Sequence, residues 1–274
     1  MSGATAAVDD GDDTDTGLGG FARFFLAAFR KKLLLLVRYP VNTVSQFGTI
    51  LLVFGVVFYG GRAVAPTAIS DSIEGIIVGY LLWSMSITAY SGLSWGVTRE
   101  AQWGTLEQLF MSPFGFGPVM VVKTVVNVLE SFLWGAATLL IMMVVTGRWL
   151  SVDPLTVIPL GALALAPAVG IGFAFGGLAI RFKRIESAFQ LVQFLFIGLI
   201  AAPVAQYPFL QWAPLAQGSQ LLQTAMTEGV RLWQFPAAEL GVLVATAVGY
   251  LALGYAAFAY CQRWARREGV MGHY

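Results

Sequence analysis

The sequence predicts an all-α integral membrane protein with six transmembrane helices, an N-terminal interfacial helix and a helical cytoplasmic loop after the second span. Three observations carry this. Of the 274 residues, 57% are hydrophobic and 11% are charged, and the mean hydropathy is +0.73; a soluble domain keeps roughly a quarter of its residues charged. Uncharged runs close to the ~20 residues that a membrane-spanning helix needs recur six times. Lys and Arg are sorted to alternate loops between those runs.

The runs fall at about 40–61, 75–98, 118–147, 154–180, 187–206 and 236–261. Four of them open with a proline (Pro40, Pro118, Pro154, Pro236), which suits a first helical turn because the missing N–H has no intrahelical partner there. Asp153 stands before Pro154 as the expected N-cap. Glu130 interrupts the third run. Six spans put both chain ends on one side. That side collects Arg23, Arg30, Lys31, Lys32, Arg38, Arg99, Lys123, Arg181, Lys183, Arg184, Arg263, Arg266 and Arg267, whereas the other holds only Arg62, Arg148 and Arg231. The positive-inside rule therefore places both termini and the 99–123 and 181–187 loops in the cytoplasm, for a protein of the cell membrane.

Residues 1–19 are acidic and Gly-rich, with Asp9, Asp10, Asp12, Asp13 and Asp15. This is the opposite of a cationic signal-peptide start, and a disordered, solvated cytoplasmic tail is expected. The six-helix transmembrane domain then covers 20–265, and 266–274 form a second, cytoplasmic tail. Within Phe21–Arg38 an amphipathic helix is expected in the headgroup layer. Arg23, Arg30, Lys31 and Arg38 share one face and Phe21, Phe25, Ala28, Phe29 and Leu36 the other. Lys32 breaks that pattern.

The uncharged stretch 187–227 is too long for one helix and contains Pro203, Pro208 and Pro214. It predicts a fifth span, a broken external segment and a short outer-leaflet or re-entrant helix. That helix would carry Leu222, Met226, Val230 and Trp233 on one side. No internal repeat of the kind that builds inverted-repeat carriers is visible.

Missing chemistry narrows the function. The four lysines are Lys31, Lys32, Lys123 and Lys183, and none follows a glycine, so the chain carries no G-x-x-x-x-G-K-[ST] phosphate loop. The one histidine is His273 and the one cysteine Cys261. Histidine-dependent nucleophilic catalysis, an intrachain disulfide and ordinary metal-ligand spacing are all excluded. No catalytic or metal site is expected, and the chain does not read as an enzyme.

The segment Arg99–Pro113 is the most informative. If Glu100–Phe110 is helical, Trp103, Leu106 and Phe110 form an apolar ridge flanked by Glu100 and Glu107. An aromatic anchor bordered by acids fits a cleft with a basic rim. Arg99-Glu100 followed by Gly104-Thr105-Leu106-Glu107-Gln108-Leu109 and Ser112-Pro113 resembles the signature of type-2 ATP-binding-cassette (ABC) exporter permeases, the membrane subunits of drug, lipid and polysaccharide exporters. Arg38-Tyr39-Pro40 is similar to that family's Arg-x-Pro corner, and Trp212-Ala213-Pro214-Leu215 to its external Asn-Pro-Leu, with Ala213 in place of Asn.

The resemblance implies a permease that dimerises, with itself or with a paralogous permease, and docks on a separate ABC ATPase through the coupling helix. Glu100, Trp103, Gly104, Leu106, Glu107 and Leu109 would make that contact, with the loop 181–186 as a second one. The chain itself would hold no cofactor; ATP and Mg would sit in the partner. The resemblance also places the second and fifth spans around the transport path. On the second, Tyr80, Ser84, Thr88, Ser91 and Trp95 form a polar stripe. On the fifth, Gln190 and Gln193 lie one turn apart beside Phe189 and Phe196. Small hydroxyl residues also serve helix packing, as Gly172-x-x-x-Gly176 is expected to do.

Glu130 is the lone candidate intramembrane acid, with a transport role or a local partner in Asn127 or Lys123. The expected function is an ATP-driven exporter permease for an amphipathic or hydrophobic solute, in contact with membrane lipid and not with nucleic acid. The alternatives are an ATP-independent channel or carrier, and a structural membrane scaffold subunit.

Overall fold

The computed structural model describes residues 18–64, 66–103, 111–182 and 185–267. These fold into eight α-helices with two short 3-10 turns, and no strand occurs among the described residues. The helices are α1 (Leu18–Arg38), α2 (Pro40–Val64), α3 (Pro66–Trp103), α4 (Phe116–Thr146), α5 (Pro154–Phe182), α6 (Glu186–Ile200), α7 (Ala216–Thr227) and α8 (Ala237–Arg267). Five of them, α2, α3, α4, α5 and α8, are long and apolar enough to cross a membrane. The chain is a multi-pass, all-α membrane protein. The acidic tail at 1–17 and the residues 268–274 lie outside the described residues.

Prolines and one acid set several boundaries. Pro40, Pro66 and Pro154 each open a helix. At α5, Asp153 caps as expected: its Oδ1 accepts the Leu155 N–H (3.3 Å), and its Oδ2 accepts the Thr156 hydroxyl (2.7 Å). The fifth expected span, 187–206, differs. Its helix α6 has 15 residues and stops at Ile200, about 22 Å at 1.5 Å per residue, because Pro203 disfavours helical backbone at Ala202. The short helix beyond it also differs from expectation. It ends at Thr227, since Gly229 takes a left-handed φ of 71°, so Val230 and Trp233 are not part of it. Leu222 and Met226 do face the core.

The two ends of the bundle are distinct. At one, Phe24 of α1 stacks on Phe114 (5.5 Å), Phe116 of α4 stacks on Phe258 of α8 (5.5 Å), and Arg181 closing α5 lies 4.7 Å over Trp264 of α8. The start of α1 and the end of α8 therefore share this end. At the other end Arg148 approaches Glu74 (4.0 Å), the Ser151 N–H donates to the Met226 carbonyl (2.8 Å), and the Leu232 N–H donates to Thr156 Oγ1 (3.1 Å). Between them α6 runs alongside α3, from the Phe189–Trp95 contact (5.5 Å) to Ile200 against Gly79. Helix α7 plugs the far end. Ser219 of α7 donates to the Ile200 carbonyl (2.9 Å), and Gly218 presses against Ala164 of α5.

The tightest seam is α5 against α8. A β-carbon on Gly254 would collide with the Gly170 carbonyl, one on Gly170 would collide with the Tyr250 carbonyl, and one on Gly177 would meet Phe258 Cα at 2.9 Å. Helix backbones come this close only where small residues line the seam. Gly172 faces the other way, toward Tyr90 of α3, and Gly176 lies between Leu93 and Val97 of α3 and Phe258 of α8. So α5 is packed through glycine on two sides.

Gly254→Val is expected to cost about 3 kcal/mol or more, the upper end for overpacking. Gly176→Ala adds a methyl at 3.7 Å from Leu93 and Val97 and is expected to stay within about 0.5 kcal/mol. Thermal unfolding in detergent, followed by dye reaction of Cys261, which is buried beside Gly177, reads both. Equal midpoints would contradict the seam.

Candidate functional site

A cleft of about 970 Å³ opens between α1, α2, α3 and α4. Its α3 wall is the stripe at i, i+4, i+8, i+11 and i+15: Tyr80, Ser84, Thr88, Ser91 and Trp95 all line it. Two of the hydroxyls are partly committed to backbone. Ser84 donates to the Leu81 carbonyl (2.8 Å) and Thr88 to the Ser84 carbonyl (3.1 Å). Such bonds occupy the hydroxyl proton and leave the oxygen lone pairs for the cleft. The Tyr80 hydroxyl donates to the Ile50 carbonyl of α2, and its ring sits 5.3 Å from both Phe54 and Trp83.

The opposite wall was not singled out from sequence. Asn42, Thr43, Gln46 and Thr49 of α2 face the same cleft. Their spacing is helical, and that periodicity was the signal available. Thr43 donates to the Leu36 carbonyl (2.8 Å) and Thr49 to Ser45 (2.8 Å), which leaves the amides of Asn42 and Gln46 as the freer polar groups.

The structure does not bring Gln190, Gln193 and Phe196 into this cleft. Phe196 is fully buried against Tyr90, with centroids 5.6 Å apart. Gln193 uses its main chain, accepting the Trp83 indole N–H at 3.1 Å, and Gln190 is exposed. Helix α6 meets α3 through Phe189 and Phe196 because those two residues lie seven apart, two turns along one face. A smaller cavity of about 410 Å³ does lie between α2, α3 and the far end of α6, lined by Val57, Ile76, Ile197 and Ile200 among others.

Glu130 has a partner that neither Asn127 nor Lys123 supplies. Lys32 of α1 reaches it at 2.9 Å, and the Trp134 indole N–H lies 3.4 Å from its Oε1. Lys123 instead pairs with Glu100 of α3 at 3.4 Å, and Asn127 packs against the α3 backbone at Gly92. This accounts for Lys32 breaking the amphipathic pattern of α1. It sits at four-residue spacing from Phe24, Ala28 and Leu36, on the bundle-facing side. The Glu130 side chain is 10% exposed and that of Lys32 37%. A carboxylate so little exposed within a membrane-spanning helix needs a counter-charge.

Of the residues expected to dock an ATPase, Glu100 lies on the last turn of α3 and Trp103 is its final residue. Gly104, Leu106, Glu107 and Leu109 lie outside the described residues, as do Lys183 and Arg184 of the second loop. Among the described residues no group of three or more His, Cys, Asp or Glu could hold a metal ion. No protein-family model and no curated protein matches the chain.

Lys32→Met should destabilise by about 1–3 kcal/mol, less than the roughly 3–5 kcal/mol for a fully buried pair because Lys32 remains partly solvated. Adding Glu130→Gln should recover most of the loss. A double-mutant cycle read by thermal unfolding checks this, and additive losses would contradict the pairing.

Proposed function

We propose that this chain is the membrane-spanning permease subunit of an ATP-driven ABC exporter. It would act as a pair of permeases coupled to separate ATPase subunits, in the cell membrane, with both termini cytoplasmic. In this reading α6, short as it is, makes the sixth crossing with α7 filling the remaining depth. The observation that carries the proposal is the continuity of α3. One 38-residue helix joins the polar wall of the cleft, at Tyr80 to Trp95, to the segment that bears Gly104-Thr105-Leu106-Glu107-Gln108-Leu109. A push on that segment is a push on the cleft wall.

The mechanism then needs no chemistry in this chain. ATP binding favours the closed ATPase pair over the open one, and that differential affinity is what shifts the permeases between two states. Glu100, tied to Lys123, makes α3 and α4 move together at their junction with the segment. The open faces of α2 and α6, with Val56, Leu191, Phe194 and Leu195 exposed, are what a second permease would cover. Glu130 is already neutralised by Lys32, a pairing that an ion-coupling carboxylate in a carrier would have to surrender.

The test is co-expression with the nucleotide-binding protein encoded beside this chain, comparing wild type with Glu107→Arg. A complex that survives purification and turns over ATP is expected, with association at least about tenfold weaker in the variant, a loss of ~1.4 kcal/mol or more. Failure of any ATPase to associate with the wild type would remove the exporter reading.

A further inference from the structure

We propose that the cleft binds an amphiphile with an acidic head, a phosphate or carboxylate on an apolar tail. This rests on reading the cleft as the transport path and names the class of solute it takes. Among the described residues three charged side chains line the cleft, Lys32, Arg99 and Glu130. Glu130 is neutralised by Lys32 at 2.9 Å. Arg99 makes no ion pair among the described residues and is exposed. The described part of the lining therefore carries one net positive charge, which favours an anion over a cation.

Shape points the same way. Along α3 the lining runs from Arg99 to Tyr80, about 28 Å at 1.5 Å per residue, close to the ~30 Å of a hydrocarbon core. The cation stands at one end of this run. At the other, Val53, Tyr80 and Trp83 also wall the smaller cavity of about 410 Å³. Val57, Ile76 and Ile197 make that second chamber apolar. A charged chamber thus adjoins an apolar one across shared walls, which is the polarity profile of a single amphiphilic molecule.

Glu130 gives the site its sign. Its carboxylate competes with an incoming anion for Lys32, and Lys32 is the more exposed, more movable partner. An acidic head that displaces it would pair with Lys32 in a cleft that Arg99 also lines. Removing the Glu130 charge should then strengthen the binding of an acid. A cationic amphiphile would behave in the opposite way, using Glu130 and losing it in the same variant.

The experiment uses the purified chain in neutral maltoside detergent, without ATPase. Energy transfer from tryptophan, with Trp83 and Trp95 in the cleft wall, reports a pyrene-labelled lysophosphatidate. A pyrene-labelled alkyltrimethylammonium is the counter-probe. We expect the phosphate probe to bind at least tenfold more tightly than the ammonium, Arg99→Gln to weaken it about tenfold, and Glu130→Gln to tighten it. Displacement by oleate would assign the site to acidic heads in general, and no displacement would restrict it to phosphates. Preference for the ammonium probe, weaker phosphate binding in Glu130→Gln, or competition by inorganic phosphate as strong as by the lipid would each overturn the proposal. Should Glu130→Gln fail to fold, the exposed Arg99→Gln still decides. Because no ATPase is present, failure here removes the acidic-amphiphile assignment alone, and failure of ATPase association removes the exporter reading alone.

Discussion

The close approach of α5 and α8 at Gly170 and Gly254 is the constraint on which the rest of the structure depends. Between helices in lipid there is little hydrophobic driving force, because lipid tails are as apolar as leucine. Cohesion must come from packing, and packing is densest where backbones touch. Through Gly170 and Gly177 on one side and Gly172 on the other, α5 holds α8 and α3 against itself. The consequence is an uneven bundle. In the apolar stretches of α3 and α5, 61% of the residues are buried, against 11% for α2. The firm half is a frame, and the cleft lies on the side that the frame holds loosely.

Charge is handled with equal economy. Two of the four lysines, Lys32 and Lys123, reach across to acids on another helix, Glu130 and Glu100. These pairs tie α1 to α4 and α4 to α3 toward the end of the bundle where α1 begins and α8 ends. They add only modest stability where partly exposed, but they fix which surfaces meet. The helix that a purely surface role would have left in the headgroups is drawn toward the cleft by Lys32, and it becomes one of its walls.

How much of this was legible in the sequence follows from what each feature depends on. Apolar runs and leading prolines located the long helices, since both act within one helix. The α3 stripe was legible for the same reason: a period of 3.6 residues needs no knowledge of neighbours. The extent of α6 and α7 was less so, because Pro203 and the left-handed Gly229 cut short segments whose composition would have let them run on. The partner of Glu130 could not be read locally, being almost a hundred positions away on α1. Nor could the Gly170–Gly254 contact, which exists only once two helices have chosen their faces. Gln190 and Gln193 illustrate the same limit, because Phe189 and Phe196 decided which side of α6 turned inward. The segment 104–109, on which the family resemblance rests, lies outside the described residues.

The claim at the centre of this account is that α3 presents one hydroxyl face to an accessible cleft and another to a packed core. Thr88 and Ser91 belong to the first face; Ser86 and Ser94 are fully buried, with Ser94 donating to the Gly172 carbonyl of α5 at 3.2 Å. Single cysteines at these four positions, in a Cys261→Ala background, can be challenged in membranes with a water-soluble maleimide. Labelling is expected at 88 and 91, and protection at 86 and 94. Labelling of all four alike, or of 86 and 94 in preference, would contradict that claim.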